Sequence, residues 1–234
     1  MPFSIPIPRP ASEPLALSPA ATLQTYLLFG LALGLTAVGV ACGSLYSATL
    51  FRGGLHFVLL LAELGIVFTA RWWVRERPWN VILFCLFPLL SGITVTPYLW
   101  YVSGSFVNGN AILLNALIAS ALLFAAAAVF ARTTRISLAG MSGFLVLSLI
   151  GLIVFGLLQL FVPALRQSVG FEMGLSAAGV VLFAMFAAFD IQRVEAGARA
   201  GESPFLLALS LYLDIFNLFL YVLRFITAIA GDRK

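Results

Sequence analysis

Asp214 stands in the middle of an apolar run, Pro204-Phe-Leu-Leu-Ala-Leu-Ser-Leu-Tyr-Leu-Asp-Ile-Phe-Asn-Leu-Phe-Leu-Tyr-Val-Leu-Arg224. A carboxylate left in hydrocarbon costs at least about 2.5–3.5 kcal/mol. It must meet a partner, water or a proton. Asp214, Asn217, Tyr221 and Arg224 recur at i, i+3, i+7 and i+10, so they line one helix face that must point into a bundle. A second carboxylate, Asp190, lies in the preceding apolar segment, within Ala187-Ala-Phe-Asp-Ile-Gln-Arg193. A short loop near 197–203 joins the two segments, so they run antiparallel. Asp214 is roughly 15 Å past Pro204 at the helical rise, and Asp190 is one to two turns before the loop. Held close and dry, two carboxylates do not both ionise easily, and one holds a proton. Such a pair titrates as a unit and is a candidate pH sensor.

Glu63 lies near the centre of another apolar segment, with Arg71 and Arg75 two and three turns further on. Arg71 or Arg75 is at a depth to meet Asp190, and Glu63 at a depth to meet Arg224. Either pairing lets the charges survive burial. Two readings stand: static salt bridges that lock the bundle, or a path for ions or protons. Oxygen-only ligands suit hard cations, so Asp190 and Asp214 could form a weak Ca²⁺ site along such a path rather than a tight cage. His56 is the only histidine, which excludes a multi-histidine metal site. Gly140-Met-Ser-Gly143 has the form found around a serine nucleophile. Its one candidate base, His56, is expected across most of the bilayer, about 20 Å or more away. No enzyme is expected.

The elements that must position these residues follow from composition. The chain has 234 residues, 62% hydrophobic and 9% charged, against about 25% charged in soluble domains. Apolar runs predict seven helices at roughly 21–43, 55–74, 80–102, 110–131, 137–162, 172–194 and 204–230. The expected class is an all-α integral membrane protein. Residues 21–234 form one seven-helix domain, behind a disordered, Pro-rich tail over 1–20 with no signal-peptide pattern. Arg71, Arg75, Arg77, Arg132, Arg135, Arg193 and Arg199 fall on alternate connections, which places those loops and the N-terminus in the cytoplasm. A full crossing by the last helix puts Lys234 outside, whereas a re-entrant one keeps it inside. The net charge of +4 is spread over helix ends, so nucleic-acid binding is not expected. Gly30 with Gly34, Gly39 with Gly43, and Gly170 with Gly174 have the spacing of close helix contacts. Pro88, Pro97 and Pro163 are expected to kink or end helices. Trp72, Trp73 and Trp79 beside the arginines read as an interfacial belt, and Cys42 and Cys85 as buried thiols.

Ser210-Leu-Tyr-Leu-Asp214-Ile-Phe-Asn217-Leu-Phe-Leu-Tyr-Val-Leu-Arg224 resembles the C-terminal signature of the Bax inhibitor family. Phe189-Asp190-Ile-Gln is similar to that family's sixth-helix motif, and Ser91-Gly-Ile-Thr94 to bacterial members. The resemblance covers nearly the whole chain in helix number and order. It implies six helices around a central seventh and a pH-sensitive calcium leak controlled by the aspartates corresponding to Asp190 and Asp214. It also implies a latch from Arg75 or Arg71, and a further ionic link, with Asn217 nearby, between Glu63 and Arg224. The expected setting is a bacterial inner membrane, with the lipid bilayer, Ca²⁺ and protons as partners and no cofactor. An alternative function within the family is to bind and restrain a membrane protease or other integral partner. The Pro-rich start departs from the usual short tail.

Overall fold

The computed structural model describes residues 19–46 and 54–231. The expected tail lies outside them up to residue 18, as does Lys234. Among the described residues the chain is helices and turns, without a β-strand. The longer helices are α1 (Pro19–Leu45), α2 (Leu55–Phe68), α3 (Trp79–Ser105), α4 (Gly109–Thr133), α5 (Ser142–Phe161), α6 (Val169–Ala200) and α7 (Pro204–Ala230).

All of these except α2 are long and apolar enough to cross a membrane, six candidate spans among the described residues. At 14 residues, α2 is about 21 Å long, short of the roughly 30 Å hydrocarbon core. The crossing expected over 55–74 breaks at Thr69. Its backbone sits at φ −92°, ψ 2°, and its hydroxyl caps Gly65 O at 2.6 Å. A separate single turn, Ala70–Trp73, follows. Elsewhere the expected helices are present with shifted ends. The sixth runs to Ala200 because Gly201, at φ 73°, supplies the left-handed cap that ends it. Pro88 and Pro97 do not end α3, which continues through both, whereas α5 stops two residues before Pro163.

The interior is shared by three helices. Half of the most apolar stretch of α3, of α6 and of α7 is buried, against 17% for α1, α4 and α5. Helix α7 packs chiefly on α6, α4 and α1, and more lightly on α3. Helix α2 rests on α3 and buries only Ile66. One of the three glycine pairs makes a close contact. Gly39 and Gly92 let the α1 and α3 backbones touch: a Cβ on Gly92 would strike Thr36 O and lie 2.9 Å from Gly39 Cα. Gly43 faces Thr96 in the same seam, but Gly30, Gly34, Gly170 and Gly174 have open space where a Cβ would stand.

One end of the bundle gathers the basic connections. Arg132 Nη2 donates to Tyr26 OH (3.2 Å) and its Nε lies 3.8 Å from Glu195. Ser203 Oγ donates to Val74 O (3.0 Å), which ties the α6–α7 loop to the turn after α2. The ends of α4 and α6, the starts of α1 and α7, and the turn carrying Arg71, Arg75 and Arg77 therefore lie together.

A buried carboxyl pair as the candidate functional site

Helices α6 and α7 form an antiparallel hairpin because Gly201 and Pro204 confine the turn between them. That geometry brings Asp190 and Asp214 together. Both are buried, at 5% and 4% exposed, and the two carboxyls lie close enough to interact electrostatically. Around them are Ala187, Ile191, Val194, Leu207 and Leu211, all at most 2% exposed. Ser210 stands one turn before Asp214 on α7 and is partly buried. Asp190 Oδ1 and Asp214 Oδ2 accept no hydrogen bond. Two ionised carboxylates have no donor between them. A hydrogen bond joining them requires one proton.

The arginine beside this pair is Arg193, not Arg71 or Arg75. Arg193 Nη1 lies 3.6 Å from Asp190 Oδ1, one turn on along α6. That is an ion pair too long for a hydrogen bond. The same guanidinium donates from Nη2 to Glu202 Oε2 at 2.9 Å. Arg71 and Arg75 are exposed and form no ion pair with the aspartates among the described residues. The bend at Thr69 accounts for this. It carries Trp73 and Val74 inward, with Trp73 Nε1 donating to Ile66 O (3.0 Å), and leaves the arginines outside.

The Glu63–Arg224 link is likewise replaced. Arg224 makes a two-pronged contact with Glu172, Nε to Oε1 at 2.8 Å and Nη2 to Oε2 at 2.9 Å, and reaches Gln159 Oε1 at 3.0 Å. Gln159 in turn donates to Glu172, and the guanidinium stands 5.5 Å from the Tyr221 ring centroid. A cleft of about 310 Å³ opens beside this cluster, lined in part by Tyr101, Arg166 and Thr227. Glu63 instead accepts from Ser91 Oγ (2.9 Å) and Thr94 Oγ1 (2.6 Å) on α3. This places the Ser91–Thr94 motif at a carboxylate. Tyr212, fully buried, hydrogen-bonds to Thr36 on α1 (2.8 Å). Asn217 bonds back to Leu213 O in its own helix and joins neither ionic cluster.

The two ends of the hairpin differ chemically. At one, a carboxylate has a bidentate arginine and a satisfied amide, the strong arrangement for a charge held from water. At the other, two carboxyls share one distant guanidinium. Sequence reasoning overlooked Glu172, Glu202 and Arg193 as partners. The i, i+3 spacing of Asp190 and Arg193 was the available signal for one. The hairpin itself was the signal for another, since it sets the start of α6 beside the end of α7. No group of three or more His, Cys, Asp or Glu able to hold a metal occurs among the described residues.

Fold and site together define a multi-pass α-helical membrane protein with ionisable groups in its interior. The family described as "Inhibitor of apoptosis-promoting Bax1" matches residues 20–231, and the chain belongs to this Bax inhibitor family. Bacterial relatives span most of the chain. An uncharacterized protein of Campylobacter jejuni is 34% identical over 86% of this chain and 85% of its own length. One from Helicobacter pylori is 30% identical over 89% and 86%. One from Deinococcus radiodurans is 30% identical over 86% and 87%.

Proposed function

We propose that the protein is a pH-sensitive calcium leak channel of a bacterial inner membrane, gated by Asp190 and Asp214. The observation that carries this reading is the burial of two carboxyls against each other with an oxygen of each left unsatisfied. With one shared proton the pair is a hydrogen bond that clasps α6 to α7. Without it the pair bears two negative charges, which repel each other and match the charge of one divalent cation. Two carboxylates fall short of the six to eight oxygens Ca²⁺ takes, so the ion passes rather than stays. Loss of the proton frees α7 to shift against α6, the helix it packs on most extensively. The arginine-rich end, where the pair lies, is the cytoplasmic side by the charge rule.

Since the proton holds the clasp shut, calcium flux rises as pH rises through the titration of the pair. Proteoliposomes containing purified protein and a calcium-sensitive dye test this. A sigmoidal increase in uptake with pH supports the reading. Uptake equal to that of empty vesicles at every pH overturns conduction, and uptake that ignores pH overturns gating.

A further inference from the structure

We infer that the cleft beside the Arg224–Glu172 cluster binds the phosphate of an anionic phospholipid, with Arg166 as its cationic partner. The cleft, about 310 Å³, is walled by the ends of four helices. Phe106 follows α3, Leu160 closes α5, Glu172 opens α6, and Thr227 lies in the last turn of α7. Arg166 enters from the turn between α5 and α6. This is the end of the bundle opposite the arginine-rich connections.

The charge balance of the cleft favours an anion. The Glu172 carboxylate lines it, but both oxygens are engaged. Arg224 donates to Oε1 at 2.8 Å and to Oε2 at 2.9 Å, and Gln159 donates to Oε2 as well. That pair is neutral as a unit. Arg166 is left over: its side chain is exposed and makes no hydrogen bond or ion pair among the described residues. Its backbone is held in place. Pro163 starts a single turn after α5, and the Arg166 N–H closes it on Val162 O at 3.2 Å. The positive end of the α6 dipole lies at the same level and adds to the preference. One net positive charge matches one phosphodiester, and the guanidinium fork fits two of its oxygens.

The surroundings select a lipid over a free anion. Helix ends mark the level of the headgroups in a bilayer. Trp100 and Tyr101, near the end of α3, are exposed, and such amphipathic rings settle at that level. Tyr101 is itself part of the cleft wall, with its ring edge-on to Phe106. Leu160, Leu157 and Ile153 recur at steps of three and four along α5, and all are exposed. They line one apolar face that runs from the cleft toward the bilayer centre. An acyl chain lies along that face while its phosphate meets Arg166.

The test uses purified, delipidated full-length protein in mild detergent, titrated with dioleoyl phosphatidylglycerol, with retained lipid counted by native mass spectrometry. Arg166→Gln is expected to weaken binding about tenfold. Arg166→Lys, which keeps the charge but not the fork, is expected to fall between it and the wild type. Arg75→Gln, which removes an exposed arginine at the opposite end, is expected to bind as the wild type does. Phosphatidylcholine with the same chains carries no net charge and is expected to bind more weakly. Inorganic phosphate is expected not to displace the lipid at equal concentration. Arg166 is exposed, so melting temperatures of its variants are expected to match the wild type. A wild type that retains no phosphatidylglycerol overturns the inference, as does unchanged binding in Arg166→Gln. Equal weakening by Arg75→Gln overturns it too, since the lipid would then answer to overall charge. Phosphatidylcholine bound as tightly removes the role of charge, and displacement by inorganic phosphate removes the lipid. These measurements contain no calcium, so their outcome is separate from that of the proposed channel.

Discussion

Asp214→Asn is expected to flatten the pH profile of calcium uptake. Asparagine has nearly the shape of aspartate but cannot ionise, so Asp190 no longer competes with a second acid for a proton. In the wild type, one shared proton makes uptake change by about tenfold per pH unit on the steep limb. In Asp214→Asn that limb is lost, and uptake stays within about twofold across the range in which the wild type titrates. Asp190→Asn acts in the same direction but leaves Asp214, the more enclosed carboxyl, without the group beside it. Its effect on assembly is the larger of the two. Dye-based uptake in proteoliposomes, at equal protein per vesicle, measures both. A profile in Asp214→Asn that overlies the wild type would remove the pair from gating.

The largest expected effect on stability belongs to Gly92. A Cβ there would run into Thr36 O and crowd Gly39 Cα and Val40 N, all backbone atoms of α1. Backbone cannot swing aside as a flexible side chain can, so the helices must separate. Overpacking of this kind costs about 1–3 kcal/mol. Gly92→Ala is therefore expected to lower the apparent melting temperature in detergent. Gly34→Ala has no atom within 4 Å of the new Cβ and is expected to be neutral or to gain up to about 1 kcal/mol in helix propensity. Melting curves followed by tryptophan fluorescence compare the two. Equal destabilisation by both would show that the α1–α3 seam is not close-packed as described.

These cases mark what the sequence could and could not express. Apolar length and helical period placed six crossings, because those signals are local. The period also put Asp214, Tyr221 and Arg224 on one face of α7, and the short loop put Asp190 opposite Asp214. The break at Thr69 was not legible, since a β-branched residue in an apolar run is common and its hydroxyl bond to Gly65 O leaves no mark in composition. From that break follows the exposure of Arg71 and Arg75, away from the aspartates they were expected to meet. Glu172 was missed for another reason. It lies near the start of α6, where an acidic residue reads as a favourable helix end rather than as the partner of an arginine 52 residues away. Glycine spacing alone did not separate the Gly39 contact from the open Gly30 and Gly34, because the same small-residue pattern suits a tight seam and a lipid-facing surface.

The central claim is that Asp190 and Asp214 hold one proton between them in a dry interior. Infrared spectra of the wild type, Asp190→Asn and Asp214→Asn at neutral pH, recorded in ordinary and heavy water, test it most directly. The account predicts a carbonyl band of a protonated carboxyl in the wild type, shifted by deuterium and slow to exchange, and absent from at least one of the two variants. A wild-type spectrum showing only ionised carboxylates, or a band that survives in both variants, would contradict it.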